Sequence, residues 1–113
     1  MAHQISDFEQ EVVAASRTVP VLVDFWAEWC APCQPLMRVL EDLEDAGGGS
    51  FKLAKLDVEA NRELASRLGV TSLPAITLYR AGEAVDRMVG TLSKSQIRAL
   101  LTRHIPGWDA GKP

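Results

Sequence analysis

The spacing of apolar residues changes along the chain and predicts where strands and helices lie. Residues 19–26 are almost continuously apolar and rich in β-branched and aromatic side chains, a composition typical of a strand that is buried on both faces. Residues 32–46 instead place Leu36, Val39, Leu40 and Leu43 on one stripe, at intervals that predict a helix with one buried side. The chain therefore places a buried strand shortly before an amphipathic helix.

The remaining segments complete an alternation of helices and strands. They are a helix at 6–15, a strand at 51–58, a short helix at 61–68, strands at 75–79 and 84–89, and a last helix at 93–104. Ser6 with Glu9 and Ser93 with Gln96 have the spacing of capping boxes that open the first and last helices. Strand–helix alternation followed by a hairpin predicts an α/β sandwich with a mixed sheet.

The length of the chain sets the number of domains. Its 113 residues are enough for one domain with a core of its own and leave little room for a second. We expect the folded domain to cover residues 1–106. Residues 107–113 are predicted to form a flexible tail in which Trp108 is partly exposed and has no catalytic part.

Charge and hydropathy exclude some classes of partner. The net charge is −3, and basic residues form no run, which argues against nucleic acid because phosphate binding needs clustered positive charge. Residues 1–11 carry acids where a signal peptide needs bases followed by an apolar run, and the apolar stretches are too short for a membrane span. We therefore expect a cytoplasmic protein that binds neither nucleic acid nor a membrane.

The candidate chemistry lies in the C-x-x-C motif, Cys30 to Cys33, between the buried strand and the helix. At a helix N-terminus, unpaired N–H groups and the helix dipole stabilise an anion, so the thiolate of Cys30 is favoured and should be the nucleophile. Cys33 lies one turn further in, is expected to be more shielded, and is close enough to close a disulfide. Pro32 suits an early helical position. The motif predicts a dithiol redox site.

A metal site and a purely structural disulfide are weaker interpretations of the two cysteines. A zinc or iron–sulfur site needs further ligands, but the chain has no second C-x-x-C and its only histidines, His3 and His104, lie near the terminus and at a helix end. A structural disulfide would close a very short loop, which contributes only about 2 kcal/mol on the chain-entropy formula. We predict no metal site.

Several segments of the sequence resemble the thioredoxin family. The run VDFWAEWCAPC at 23–33 is similar to the family's active-site segment. Residues 54–57 resemble its next strand, 73–74 the segment with a cis-proline, 82–83 the hairpin turn, and 89–90 the glycine of the substrate groove. Ala31 departs from the pattern, because thioredoxins usually have glycine there. The resemblance covers about residues 5–105 and implies the thioredoxin fold, a central mixed sheet of four to five strands with helices on both faces.

The resemblance also implies roles for individual residues. It assigns Asp24 as the base that takes the proton from the Cys33 thiol, with Lys55 beside it on the next strand. It assigns the substrate-binding surface to Trp29, Ala31, Pro32, Leu73, Pro74 and Gly90, with a cis bond at Pro74. Plainer interpretations stay open: Asp24 at a solvated sheet edge, Lys55 as an ordinary exposed strand lysine with a buried stem, Trp26 as a core aromatic, and Gly90 as a turn glycine with positive φ.

The implied activity is that of a protein-disulfide reductase of the thioredoxin type. It would work as a monomer without a bound cofactor, act in electron transport and cell redox homeostasis, and be reduced again by a flavin-dependent thioredoxin reductase. A chaperone-like thioredoxin domain, which binds unfolded clients with or without redox activity, is the alternative. A structural subunit that uses only the fold is a further one, but a scaffold has no use for Cys30, Cys33, Asp24 and Pro74 together.

Overall fold

A five-stranded mixed sheet forms the centre of the molecule, described over residues 3–110 in a computed structural model. The strands are β1 (His3–Gln4), β2 (Val21–Trp26), β3 (Lys52–Asp57), β4 (Ala75–Arg80) and β5 (Glu83–Val89), in the spatial order β1-β3-β2-β4-β5. β1 and β2 run parallel to β3, whereas β4 is antiparallel to β2 and β5. β2 is thus the central strand, as its apolar sequence predicts.

Helical segments cover both faces of the sheet. They are an N-terminal helical segment, with π-helical turns over Glu9–Ala14 and a 3₁₀ turn over Ala15–Arg17, followed by α1 (Cys33–Gly47), α2 (Arg62–Arg67) and α3 (Lys94–His104). α1 and α3 pack on one face of the sheet, and the N-terminal segment and α2 pack on the other. The predicted α/β fold, with a mixed sheet and helices on both faces, is confirmed.

Two separate apolar clusters hold these layers together. The cluster under α1 and α3 contains Leu22, Leu36, Leu40, Leu43, Leu53, Ile76, Leu78, Ile97, Leu100 and Leu101. The cluster on the opposite face contains Val12, Val21, Val23, Phe25, Ala54, Leu56 and Tyr79. Alternate residues of β2 therefore enter opposite clusters, and Asp24 lies between Leu22 and Trp26 on the α1 face. None of the described helices is long and apolar enough to span a membrane.

The capping box predicted at Ser6 and Glu9 is wrong. Glu11 makes this contact instead, and its Oε2 accepts hydrogen bonds from the Ser6 N–H (3.1 Å) and the Ser6 hydroxyl (2.8 Å). The Asp7 carboxylate accepts the Gln10 N–H at 3.2 Å. Asp7, one residue after Ser6, thus accepts the N–H three positions later, and the Glu11 N–H donates to the Asp7 carbonyl at 2.8 Å. The box at Ser93 and Gln96 forms as predicted.

The prediction that Trp108 is partly exposed is also wrong. Trp108 is only 2% exposed, packs edge to face on Phe51 with ring centroids 6.0 Å apart, and donates from Nε1 to Thr102 Oγ1 at 3.1 Å. The Arg98 guanidinium lies 5.0 Å from its ring centroid and also pairs with Asp109 at 2.8 Å. The segment after α3 thus closes the apolar cluster under α1 and α3, at least as far as residue 109.

Candidate active site

The two cysteines lie where the chain turns from the central strand into the first long helix. β2 ends at Trp26 and α1 begins at Cys33. The Cys30 N–H donates to the Ala27 carbonyl at 3.0 Å, and the Cys33 N–H donates to the Cys30 carbonyl at 3.1 Å. Cys30 and Cys33 form a disulfide with their Cα atoms 5.4 Å apart. The redox pair is therefore held in the turn that opens α1, as predicted.

Solvent exposure does not distinguish the two cysteines, but their neighbours do. Cys30 is 3% exposed and Cys33 is 2% exposed, so the prediction that Cys33 is the more shielded cysteine is wrong. Cys30 is flanked by the exposed residues Trp29, Ala31 and Pro32. Cys33, the first residue of α1, lines a partly open cavity of about 160 Å³ together with Trp26, Gln34, Met37 and Lys55. An exposed apolar surface therefore lies beside Cys30, and a lysine-lined cavity lies beside Cys33.

Asp24 is fully buried on the central strand. Neither of its carboxylate oxygens has a hydrogen-bond partner within residues 3–110. Burial raises the pKa of Asp24 to about 7, and the charge of Lys55 opposes that rise. The alternative placement of Asp24 at a solvated sheet edge is therefore excluded. A carboxyl group with this pKa can exchange a proton near neutral pH.

Lys55 is the neighbour of Asp24 on the adjacent strand. The two residues face each other in the parallel pairing of β2 with β3. Lys55 is only partly exposed, which the plainer interpretation of a strand lysine with a buried stem also allows. Its ammonium lies 5.5 Å from the centroid of the Trp26 ring, and Lys55 lines the same cavity as Cys33.

The loop before β4 brings Leu73 to the cysteines. The Leu73–Pro74 peptide bond is cis, as predicted, and Leu73 packs against the small cluster of Ala27, Cys30 and Cys33. Within the described residues, the Leu73 main chain makes no hydrogen bond to another main-chain group. A partner strand could therefore pair with it.

Gly90 closes this loop from the end of β5. Its N–H donates to the Pro74 carbonyl at 2.9 Å. Its φ of 101° is unfavourable for other residues, so the turn-glycine interpretation holds. A Cβ atom built at Gly90 would contact no other residue and would project into open space.

A contact with Glu59 that was not predicted from the sequence orients Trp29. The indole Nε1 donates to Glu59 Oε2 at 3.1 Å, and Arg62 pairs with the other oxygen of Glu59 at 2.7 Å. Arg62, and then Trp29, lower the pKa of Glu59. The parallel pairing of β2 with β3 was the available signal, because residues that follow the carboxyl ends of adjacent parallel strands meet at one edge of the sheet.

Trp29 is nevertheless two-thirds exposed (67%) and is the most exposed large apolar side chain in the described part of the chain. The Glu59 contact fixes an apolar surface directly beside Cys30. The assembled site thus contains a dithiol that can open and close, a buried carboxyl group and an apolar surface with a free main-chain edge. Chemically, this arrangement can exchange a disulfide with another protein.

Comparisons with known proteins agree with this chemistry. The sequence profile of the Thioredoxin family matches residues 1–103. The thioredoxin of Pseudomonas aeruginosa is 39% identical over 100 residues, which cover 88% of this chain and 91% of that protein. The thioredoxin of Pyropia yezoensis is 36% identical over 104 residues (90% and 95%), and thioredoxin 1 of Nostoc sp. is 36% identical over 106 residues (92% and 97%).

Proposed function

This chain belongs to the thioredoxin family and is a thiol–disulfide oxidoreductase that reduces protein disulfides, and from this premise we propose how its residues divide the reaction. The observation that carries the proposal is the placement of Cys30 and Cys33 at the start of α1, one beside the exposed apolar surface of Trp29 and the other in the lining of a partly open cavity that contains Lys55. The assignment of individual roles follows from that asymmetry.

In the first step, the Cys30 thiolate attacks one sulfur of a client disulfide. A Cys30–client disulfide forms, the client's own S–S bond breaks, and its second sulfur leaves as a thiolate that takes a proton from solvent. The N–H groups that open α1 stabilise the attacking thiolate. The exposed side of the turn at Cys30 gives the client access.

In the second step, Asp24 accepts the proton of the Cys33 thiol. The Cys33 thiolate then attacks the Cys30 sulfur and breaks its bond to the client, which leaves as a second thiolate and is protonated. Two electrons have passed from the dithiol to the client, and the Cys30–Cys33 disulfide remains. Lys55 limits the pKa of Asp24 by its charge, so that the base is not protonated throughout the physiological pH range.

The client is proposed to lie across Trp29, Ala31, Pro32, Leu73, Pro74 and Gly90. Its backbone would pair with the main chain of Leu73 as an added strand, while Trp29 supplies apolar contact. The open space in front of Gly90 leaves room for client side chains. Such a surface recognises an extended segment with little dependence on its sequence.

We propose the finer biological setting from the family alone. A flavin-dependent thioredoxin reductase would return two electrons to the Cys30–Cys33 disulfide, and the protein would act as a monomer in the cytoplasm. Its roles there would be electron transport and redox homeostasis.

Insulin provides a direct test of the proposed function. With NADPH and a thioredoxin reductase, the protein is expected to reduce the insulin interchain disulfides, which is followed by NADPH consumption and by precipitation of the free B chain. A chaperone-like protein without redox activity would suppress aggregation of an unfolded client and consume no NADPH. That result would contradict the proposal.

Ala31 is expected to change the reduction potential only slightly. It adds one methyl group to the turn and no charge or donor, and a Gly/Ala exchange alters helix stability by no more than about 1 kcal/mol. Since 30 mV corresponds to about 1.4 kcal/mol for a two-electron couple, Ala31→Gly should move the potential by about 20 mV or less. Equilibration with glutathione measures it. A wild-type potential near about −120 mV, typical of strong oxidants, would contradict a reductase role.

A further inference from the structure

Three buried polar atoms on the α1 face of β2 have no hydrogen-bond partner in residues 3–110. They are both carboxylate oxygens of Asp24 and Nε1 of Trp26. An unpaired buried carboxyl group is costly, and a lysine faces it in register on the next strand. An ion pair with Lys55 would be the ordinary solution, yet the Asp24 oxygens lack it.

The Lys55 ammonium lies over the Trp26 ring, 5.5 Å from its centroid. An ammonium within about 6 Å of an indole face is attracted by the ring's negative quadrupole. Asp24 and Trp26 are two residues apart on β2 and so lie on the same face of the sheet. Lys55 therefore has two competing partners on one face, the carboxyl group and the indole ring.

We propose that Trp26 is a positioning residue that holds the Lys55 ammonium over its indole face and so keeps Asp24 without an ion-pair partner. This inference rests on the proposed role of Asp24 as the base for Cys33. An ammonium within hydrogen-bond distance would stabilise the carboxylate and make Asp24 a stronger acid. A stronger acid is a weaker base, so it would accept the Cys33 proton less readily near pH 7.

The elements packed around Asp24 place no second cation beside its carboxyl group within residues 3–110. β4 places the apolar residue Ile76 opposite Asp24. From α1, Cys33 lines the cavity that Lys55 also lines. Asp57, the register partner of Trp26 on β3, accepts the Glu59 and Ala60 N–H groups at 2.9 and 3.3 Å. Lys55 is thus the cation that acts on Asp24 in the described part of the chain.

The test is a titration of Asp24 in the oxidised protein, where neither cysteine ionises. Carbon-13 NMR of the Asp24 carboxyl group reads its pKa directly. Trp26→Leu removes the aromatic face, and we expect the pKa of Asp24 to fall by about one unit as Lys55 turns to it. Trp26→Phe keeps an aromatic face and should give a smaller fall. In a Lys55→Met background, Trp26→Leu should give no fall.

Two outcomes would overturn the inference. An unchanged pKa in Trp26→Leu shows that the ring does not hold Lys55. An equal fall with and without Lys55 shows that water entering the enlarged cavity is responsible. Both outcomes leave the role of Asp24 as a base untouched, because that role is read from client release in the reduced protein.

The unmodified protein offers a second measurement that does not depend on folding of the variants. The Lys55 ε-methylene protons should resonate upfield because they lie over the indole ring, and they should show contacts to its protons. Random-coil shifts for these protons would contradict the proposed placement.

Discussion

Cys30→Ser is expected to reduce turnover to the uncatalysed background, whereas Cys33→Ser should retain the first step and stop after one client per chain. A serine hydroxyl cannot replace the Cys30 thiolate as the attacking group. Without the Cys33 thiol, the Cys30–client disulfide forms but nothing displaces the client. The exposed residues that flank Cys30 and the position of Cys33 in the cavity with Lys55 underlie this difference.

Mass spectrometry of the trapped adducts measures this prediction. Incubation with an oxidised client should give a stable adduct on Cys30 in the Cys33→Ser variant. The double variant, Cys30→Ser with Cys33→Ser, serves as the control for non-specific association. Stable adducts on Cys33 of the Cys30→Ser variant, with none on Cys30 in the reverse variant, would invert the assignment.

Asp24→Asn should stabilise the protein by an amount that depends on pH. Between about pH 4 and pH 7, the native protein keeps a proton on Asp24 that the unfolded chain has lost. Wild-type stability therefore falls as the pH rises through this window and levels off above it. Three pKa units at about 1.4 kcal/mol each correspond to a gain of up to roughly 4 kcal/mol for the variant above pH 7.

Urea unfolding at several pH values measures this gain. Asp42→Asn, at an exposed position on α1, is the control and should change stability by no more than about 0.5 kcal/mol. A gain for Asp24→Asn that does not vary between pH 4 and pH 8 would contradict the raised pKa. The same variant should release a trapped client about 10²-fold more slowly, since it lacks a base for Cys33. An unchanged release rate would remove Asp24 from the mechanism.

The sequence predicted the parts of the fold that depend on local pattern. The apolar run before Trp26 and the stripe that includes Leu36 and Leu40 gave the central strand and the long helix to within two residues. The first capping box failed because Asp7, and not Ser6, accepts the N–H three positions later, and because Glu11 takes the place of Glu9. Ser6 and Asp7 are neighbouring residues that can both cap a helix, and local spacing does not decide between them.

Contacts between residues that are far apart in the sequence could not be predicted from the pattern of apolar and polar positions. Trp108 lies in a polar stretch of the sequence, and its burial depends on its contacts with Phe51 and with Thr102 of α3. The Trp29–Glu59 contact follows from strand register, but the choice of Lys55 between Asp24 and the Trp26 ring depends on side-chain placement alone. The family resemblance identified the reacting residues, but it did not predict the side-chain contacts that orient Trp29 and Lys55 beside them.

The redox pair and its surroundings come from very different distances along the chain. Cys30 and Cys33 are three residues apart and can form their disulfide in an unfolded chain, whereas Lys55 and Leu73 reach them only when the sheet is complete. Folding and oxidation therefore form a closed thermodynamic cycle. If the native surroundings stabilise the disulfide, the free energy of unfolding of the oxidised form must exceed that of the reduced form by the same amount. Each reduction of a client thus exchanges the enzyme between two native states of unequal stability.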